Sequence, residues 1–403
     1  MQKRVLMLNA SHNDERLICA LRKLGFYIIT TGNRPELPGH KLADEYCFGD
    51  YTDIEAMLDL AKRKKVDAVC PCCNDFGVIT AAYISEKLGF KGQDSFETTL
   101  KIHHKDQFKK LAKQLGLSTP PAESFVGLDE AMDWARANDR YPVIVKPTDL
   151  SAGNGIHRAD NFKMLENALH SAFACSRVGH VLVEPFIGGT QHGFCTFLMN
   201  QKVVAVCSNN EYSFINPYRV EADTFPAEMI ESVRNRLIFQ VEQIAKALQL
   251  SDGIFHLQYK YSNGEAYILE CMRRTLGNIY GEPAEGHGAG FNWDYWEARA
   301  KCGLGCEGFP ASVEERGFWA YRALIAKEKG VFISVSVADD IRPFMYKKHM
   351  LHELGYRIET PLSDPVGLLF FKFESAEQMK QVICERHEEI KVNVVPSNAG
   401  GRN

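Results

Sequence analysis

A chain of 403 residues, 45% hydrophobic and 24% charged, has the composition of a globular protein long enough for two or three domains. A formal net charge of -4 without a polybasic run gives no field for a nucleic-acid backbone, and no apolar stretch reaches the roughly 18 residues a membrane helix needs. "MQKRVLMLNASHNDER" passes from a short strand straight into polar residues rather than a signal-peptide core, so the expected location is cytoplasmic. The 12 cysteines are scattered, and "CPCC" (Cys70, Cys72, Cys73) and "KCGLGC" (Cys302, Cys306) do not supply the paired knuckles of a zinc site, so reduced thiols are expected.

"RVLMLNA", "NDERLICALRKLG" and "FYIITT" read as strand, helix and strand. The alternation recurs in "DIEAMLDLAKRKK", "VDAVCPCC" and "DFGVITAAYISEKLG". This predicts an open parallel, Rossmann-like sheet over residues 1–95, with "NASHNDE" standing where a dinucleotide site would carry GxGxxG. A helix in "FETTLKIHHKDQFKKLAKQLG" and the turn-rich "STPPAES" lead to the strand "YPVIVKP". There Lys146 precedes a loop of small residues, Ser151 to Gly155, whose backbone can approach phosphate oxygens.

"VLVEPFIGGTQ" is a strand that ends in Glu184, and "QHGFCTFLMN", "KVVAVCSNN" and a long helix follow, giving α+β texture. Next comes a hairpin, "HLQYKY", "SNG", "EAYILECM". A two-residue turn at Asn263 and Gly264 pairs Leu257 with Glu270 and puts Gln258 and Glu270 on opposite faces. A three-residue loop pairs His256 with Glu270 and puts His256, Gln258, Glu270, Met272 and Arg274 on one face. A metal pair of Gln258 and Glu270 is expected to require the second register. From Phe309 to Val395 short strands and one helix suggest a small α+β domain, and "PSNAGGRN" reads as a disordered tail.

A strand with lysine, a glycine loop, a strand ending in glutamate, a long helix and a hairpin ending in an acid and arginines form an ordered series. In that order the chain resembles the ATP-grasp superfamily, in particular its ATP-dependent carboxylate–amine ligases, over residues 1–310. The resemblance implies a Rossmann-like domain at 1–95, an ATP-grasp domain at 96–308 with a lid near 116–185 and a C-terminal domain at 309–395, after which comes the tail read at 396–403. It also leaves room for a homodimer.

Carried over by position, it implies that Lys105 and Lys146 contact ATP phosphates under the loop with Ser151, Gly153 and Gly155. Glu184, Pro185, Phe186 and Ile187 correspond to the adenine-binding strand, and Gln191 falls at the usual ribose position. Gln258 and Glu270 correspond to the Mg2+ ligands, with Met272 where an asparagine is usual. Arg274, with Arg273 beside it, corresponds to the catalytic arginine. The implied chemistry is activation of a small-molecule carboxylate as an acyl phosphate, attack by an amine, and release of ADP and phosphate. Carboxylation, thioester formation and a nucleotide-binding regulator without catalysis are the rival readings.

Tyr212, Tyr218 and Arg219 in "NNEYSFINPYRVEADTFP" are candidates to read the substrates. So is His287, expected in a glycine-rich loop before a helix, whereas His192 and His256 read as strand packing residues.

Overall fold

The computed structural model describes residues 2–150, 153–228, 231–362 and 364–396. The chain forms two compact units. One comprises Met1–Val206, Met229–Gly277 and Trp293–Ser312; the other comprises Cys207–Glu228, Asn278–Asn292 and everything from Val313 on.

The first unit begins with β1 (Arg4–Leu8), β2 (Tyr27–Gly32), β3 (Glu45–Phe48) and β4 (Ala68–Cys70), which form a parallel sheet in the order β3-β2-β1-β4. Side chains alternate across it: Val5, Met7 and Ile28 enter one core cluster, and Leu6, Leu8 and Ile29 enter another. A sheet buried on both faces explains why these strands read as continuous apolar runs. Helix α1 (Glu15–Lys23) crosses from β1 to β2 and α2 (Ile54–Lys64) from β3 to β4, and α3 (Asp75–Leu88) follows β4. Asp53 caps α2 by accepting from the Ala56 amide, and Asn74 caps α3 by accepting from the Phe76 amide.

After α4 (Phe96–His103) and α5 (Lys105–Leu115), four short antiparallel strands make a second sheet in the order β5-β8-β6-β7. They are β5 (Glu123–Phe125), β6 (Val143–Pro147), β7 (His157–Ala159) and β8 (Val181–Pro185). Helices α6 (Leu128–Ala137) and α7 (Phe162–Cys175) close its core with Ala131, Ala135, Leu165 and Leu169 against Val143, Val145 and Val183. The third sheet of the unit is the antiparallel set β13-β12-β9, built from β9 (Thr190–Met199), β12 (Gly253–Ser262) and β13 (Glu265–Met272). Phe255, Leu257 and Tyr259 of β12 point into a core shared with Phe194 and with Leu237, Val241 and Ile244 of α8 (Glu231–Ala247). The even-numbered residues of β12 therefore line the other face. The last helix of the unit is α10 (Trp293–Lys301).

The second unit takes over the end of β10 (Lys202–Tyr212) and continues through β11 (Ala222–Phe225), β14 (Phe318–Ile325), β18 (Pro365–Phe373) and β16 (Met345–Met350), in that spatial order. A smaller sheet has the order β17-β15-β19, from β15 (Gly330–Val337), β17 (Arg357–Ile358) and β19 (Ile390–Pro396). Ala222, Ala320, Leu324 and Phe371 pack with Phe332, Ile358 and Ile390, and with Met379 of α11 (Ala376–Lys380). The short α9 (Gly281–His287) also belongs to this unit. Residues 397–403, where a tail is expected, lie outside the described residues.

Candidate active site

The hairpin settles the register by a route the two expected alternatives omit. The turn is the two-residue one: Ser262 pairs with Glu265, and Asn263 and Gly264 both have positive φ, 52° and 84°. Yet the pairing shifts between Gln258 and Tyr259, so that Tyr259 faces Ile268 while Gln258 faces Glu270. Leu269 is the extra residue of a β-bulge. The core confirms the phase change, since Ala266, Ile268 and Cys271 all point into it. The two-residue turn, expected to separate Gln258 from Glu270, is thus overruled four residues further on. Gln258 and Glu270 stand directly opposite each other, and His256 stands opposite Met272. On the neighbouring strand Gly193 faces Gln258, and Gln191 faces Lys260, a cation the sequence reading did not single out.

Three lysines converge near this face. Lys105, the first residue of α5, is buried; its amide donates to Thr148 O at 3.0 Å, its Nζ donates to Leu150 O at 2.5 Å, and Nζ lies 3.3 Å from Glu270 Oε2. Lys146, on β6, donates to Glu184 Oε1. Lys109, one turn after Lys105, lies 2.9 Å from Glu184 Oε2 and donates to Thr119 Oγ1 at 2.5 Å and Pro120 O at 3.0 Å. Its spacing of four from Lys105 was the available signal, because residues i and i+4 share a helix face. Glu184 is buried between two lysines. Burial raises its pKa, but Lys146 and Lys109 outweigh that and leave it below the ordinary value. Burial lowers the pKa of Lys109, with Glu184 opposing. Glu184 therefore ends its strand against Lys146 and Lys109 instead of in solvent.

The strand after Glu184 is partly committed. Pro185 has no N–H, and the Phe186 amide donates to Pro142 O at 3.0 Å, so a backbone amide donor to a purine edge would come from Ile187 or beyond. Arg158 lies over the Phe186 ring at 4.3 Å. In the small-residue loop Gly153 and Gly155 have φ of 75° and 69°, and a Cβ on Gly155 would come within 2.7 Å of Pro147 Cγ. Ser151 lies outside the described residues.

The two arginines separate completely. Arg274 is on the Gln258 and Glu270 side of the chain. It donates from Nε to Asp75 Oδ1 at 2.5 Å and from Nη1 to Thr275 O at 3.1 Å, and Nη2 lies 3.3 Å from Met272 Sδ. Asp75 opens α3 and also lies 3.2 Å from His103 Nδ1. Burial raises the Asp75 pKa, but Arg274 and His103 hold it well below the carboxylate range. His256 is pushed down to about 3 by burial and by Arg274, so it is a neutral ring at physiological pH.

Arg273 points the other way and is fully buried. Its Nε donates to Asp94 Oδ2 at 2.8 Å, its Nη2 donates to Ser251 O at 2.7 Å and Asp94 Oδ1 at 3.4 Å, and its Nη1 donates to Ile254 O. Such an arginine fastens β12 to the segment before α4. The catalytic role expected for Arg273 is corrected to a structural one, because its guanidinium is enclosed by protein.

The substrate candidates lie in the second unit. Tyr218 and Arg219 sit in a turn organised by Asn216, whose Oδ1 accepts from the Tyr218 amide at 3.1 Å and whose carbonyl accepts from the Arg219 amide at 3.1 Å. Tyr212 stacks on Phe214, with ring centroids 5.8 Å apart, and packs against the core. His287 is the last residue of α9, not a loop residue before a helix. It is buried, with Nδ1 3.2 Å from Gly317 O and Nε2 3.8 Å from Glu315 Oε2.

Residues 104–275 match the family model for the ATP binding domain of the carbamoyl-phosphate synthase L chain. Over these residues the chain is similar to an ATP binding domain of the ATP-grasp type. The chain is also similar to a formate-dependent phosphoribosylglycinamide formyltransferase of Burkholderia thailandensis, 30% identical over 194 residues, 46% of each chain. It is likewise similar to a carbamoyl phosphate synthase large chain of Clostridium acetobutylicum, 23% identical over 278 residues, 65% of this chain and 25% of that one. The aligned part spans less than half the length of these relatives. In fold, the chain is similar to an L-amino acid ligase from Bacillus licheniformis, with a TM-score of 0.82 at 18% identity over 99% of this chain and 100% of that one. A biotin carboxylase domain of a Hydrogenobacter thermophilus 2-oxoglutarate carboxylase aligns with a TM-score of 0.77 at 19% identity, over 98% and 91%. Among the described residues no helix is long and apolar enough to cross a membrane.

Proposed function

We propose that the protein is an ATP-dependent ligase that joins a small-molecule carboxylate to an amine through an acyl phosphate, releasing ADP and phosphate. The observation that carries this reading is the placement of Lys105, Lys146, Gln258 and Glu270 around one sheet face, with Arg274 anchored by Asp75 beside it. Phosphoryl transfer requires positioning and charge neutralisation more than covalent help from the protein, and this set supplies both.

Lys105 and Lys146 bind the ATP phosphates, and Lys109 holds Glu184 so that Lys146 is aimed. Ile187 and Gln191 orient the base and the ribose. Gly153 and Gly155 let the backbone close over the phosphates and exclude water. Mg2+ fits this site. The Gln258 amide oxygen and the Glu270 carboxylate are hard oxygen donors opposite one another, and Mg2+ usually takes only one or two protein oxygens beside phosphate and water. Met272, whose sulfur lies against Arg274, is not part of that donor set. When bound, the metal neutralises charge on the β and γ phosphates.

In the first step a carboxylate oxygen forms a bond to the γ phosphorus as the bond to the ADP oxygen breaks. In the second step the neutral amine attacks the acyl carbon, phosphate leaves, and the nitrogen gives its extra proton to water. Arg274 stabilises the acyl phosphate and the oxyanion of the second step. Tyr218, Arg219 and His287 are candidate contacts for the acid or the amine.

Trapping tests the proposal. Mg-ATP, a carboxylate panel and hydroxylamine should yield ADP together with a hydroxamate of the accepted acid. AMP and pyrophosphate would exclude the acyl phosphate route. Nucleotide binding without turnover on any carboxylate would favour the regulator.

A further inference from the structure

We propose that Lys260 reads the ribose of the nucleotide and makes the site select ribonucleotides over 2′-deoxyribonucleotides, an inference that rests on the nucleotide-binding part of the reading above.

The placement follows from which face of the sheet each strand commits to the core. On β12, Leu257 and Tyr259 belong to the core and Tyr261 packs against it. On β9, His192 is buried and stacks on Tyr259 with ring centroids 5.1 Å apart, so it takes the core side of its strand. On β13, Ala266 and Ile268 point into the same core. Alternation then turns Gln191, Lys260 and Tyr267, one residue from each strand, to the opposite face. The register makes them a row. Lys260 stands opposite Gln191 on one side and opposite Tyr267 on the other, and all three are half-buried.

This row neighbours the one that would hold the metal, where Gly193, Gln258 and Glu270 stand abreast. Two residues of strand separate the rows, about 7 Å toward the hairpin turn. A metal on the β and γ phosphates is separated from the ribose by the α phosphate and the 5′ methylene, so a nucleotide laid along β12 brings its sugar to the second row. The segment from Ile187 to Gln191 fixes that direction. Gly189 is pressed onto β12, where a Cβ on it would come within 2.1 Å of Tyr261 O. Lys260 Nζ lies 3.5 Å from Gly189 O, so the ammonium leans toward the base-binding strand and away from Gln258. That distance is beyond the usual range of an N–H···O bond, and a sugar hydroxyl can replace so long a contact.

The two side chains complement a hydroxyl. A lysine ammonium only donates, whereas the glutamine amide oxygen accepts. A ribose 2′-hydroxyl between them accepts from Lys260 Nζ and donates to the Gln191 amide oxygen; a 2′-deoxy sugar can do neither. The phosphates are served from other elements, by Lys105 at the start of α5 and Lys146 on β6.

Calorimetric titration of the full chain with Mg-ADP and Mg-2′-deoxy-ADP tests the proposal and needs neither carboxylate nor amine. The parent should bind ADP about tenfold more tightly than 2′-deoxy-ADP. Lys260→Met should weaken ADP by about tenfold, to the level of the deoxynucleotide, and leave 2′-deoxy-ADP within about twofold of the parent, which also reports that the variant is folded; Lys260→Ala serves where Lys260→Met does not fold. Lys260→Arg should keep most of the preference. Equal affinity of the parent for both nucleotides, equal weakening of both in the folded variant, which would mark a phosphate contact, or an undiminished preference without Lys260 would overturn the proposal while the ligase reading stands. Absence of binding of either nucleotide to the parent would overturn the nucleotide site itself and this proposal with it.

Discussion

The first unit buries two ionic clusters that look alike in composition and differ in what surrounds their cations. Around Asp94, the donors of Arg273 end on Asp94, Ser251 O and Ile254 O, and the Asp94 carboxylate also accepts from the Ser251 amide at 2.7 Å. Around Glu184 and Glu270, three lysines share two carboxylates beside a sheet face and a glycine loop. The first arrangement locks backbone segments together. The second gathers more positive than negative charge where a polyphosphate can supply the remainder. A buried charge alone therefore does not mark a working residue; the question is whether protein already completes its hydrogen bonds.

The largest effect expected from this contrast is on stability. Arg273→Met strands the Asp94 carboxylate in the interior and should cost about 3–5 kcal/mol in urea unfolding. ADP formation per folded molecule should stay at the parent level, and a selective loss of turnover in the folded variant would return Arg273 to the catalytic list. Arg274→Ala should instead lower turnover of the folded variant by about 2.7–4 kcal/mol of barrier, or roughly a hundredfold to a thousandfold, besides the stability lost when the Asp75 carboxylate loses its guanidinium partner. Turnover within about threefold of the parent, below roughly 0.7 kcal/mol, would remove its assigned role.

A smaller effect should appear in acid. The Asp94 pKa is held at about 2 because Arg273 and Lys301 outweigh burial, which by itself would raise it. A depressed carboxylate contributes stability that is fully present above its unfolded pKa of about 3.9 and is lost as pH falls through the folded value, so roughly 2 kcal/mol should disappear between about pH 4 and pH 2. Arg273→Met should flatten that part of a stability-versus-pH curve, and an unchanged slope would assign the effect elsewhere. The smallest expected effect sharpens the second cluster: Gln258→Glu adds a negative oxygen opposite Glu270 and should lower the Mg2+ midpoint of turnover by about tenfold. No change in the Mg2+ dependence would place the metal away from this pair.

The parallel sheet was legible because apolar runs and amphipathic helices alternate from Arg4 to Leu88, and every strand in it obeys one simple period. The separation of the arginines was also within reach. Consecutive residues of an extended segment face opposite ways, so Arg273 and Arg274 could not both serve the Glu270 face. Lys109 was readable from its spacing to Lys105. The bulge at Leu269 was not, because a turn fixes register only up to the first irregularity, and the irregularity is chosen by packing of Ala266, Ile268 and Cys271 in a core drawn from distant sequence. His287 was misplaced for a related reason: α9 is short and glycine-flanked, and its burial comes from contacts with residues near 315–317.

The bulge also bears on how this hairpin can change length. Removing one residue from a strand normally turns every later side chain to the other face. Removing Leu269 would instead bring Ile268, Cys271 and the core into a strict period of two while Glu270 stays across from Gln258. The strand is therefore one residue longer than its alternation requires, and shortening at that point would leave the same oxygens facing each other across the hairpin.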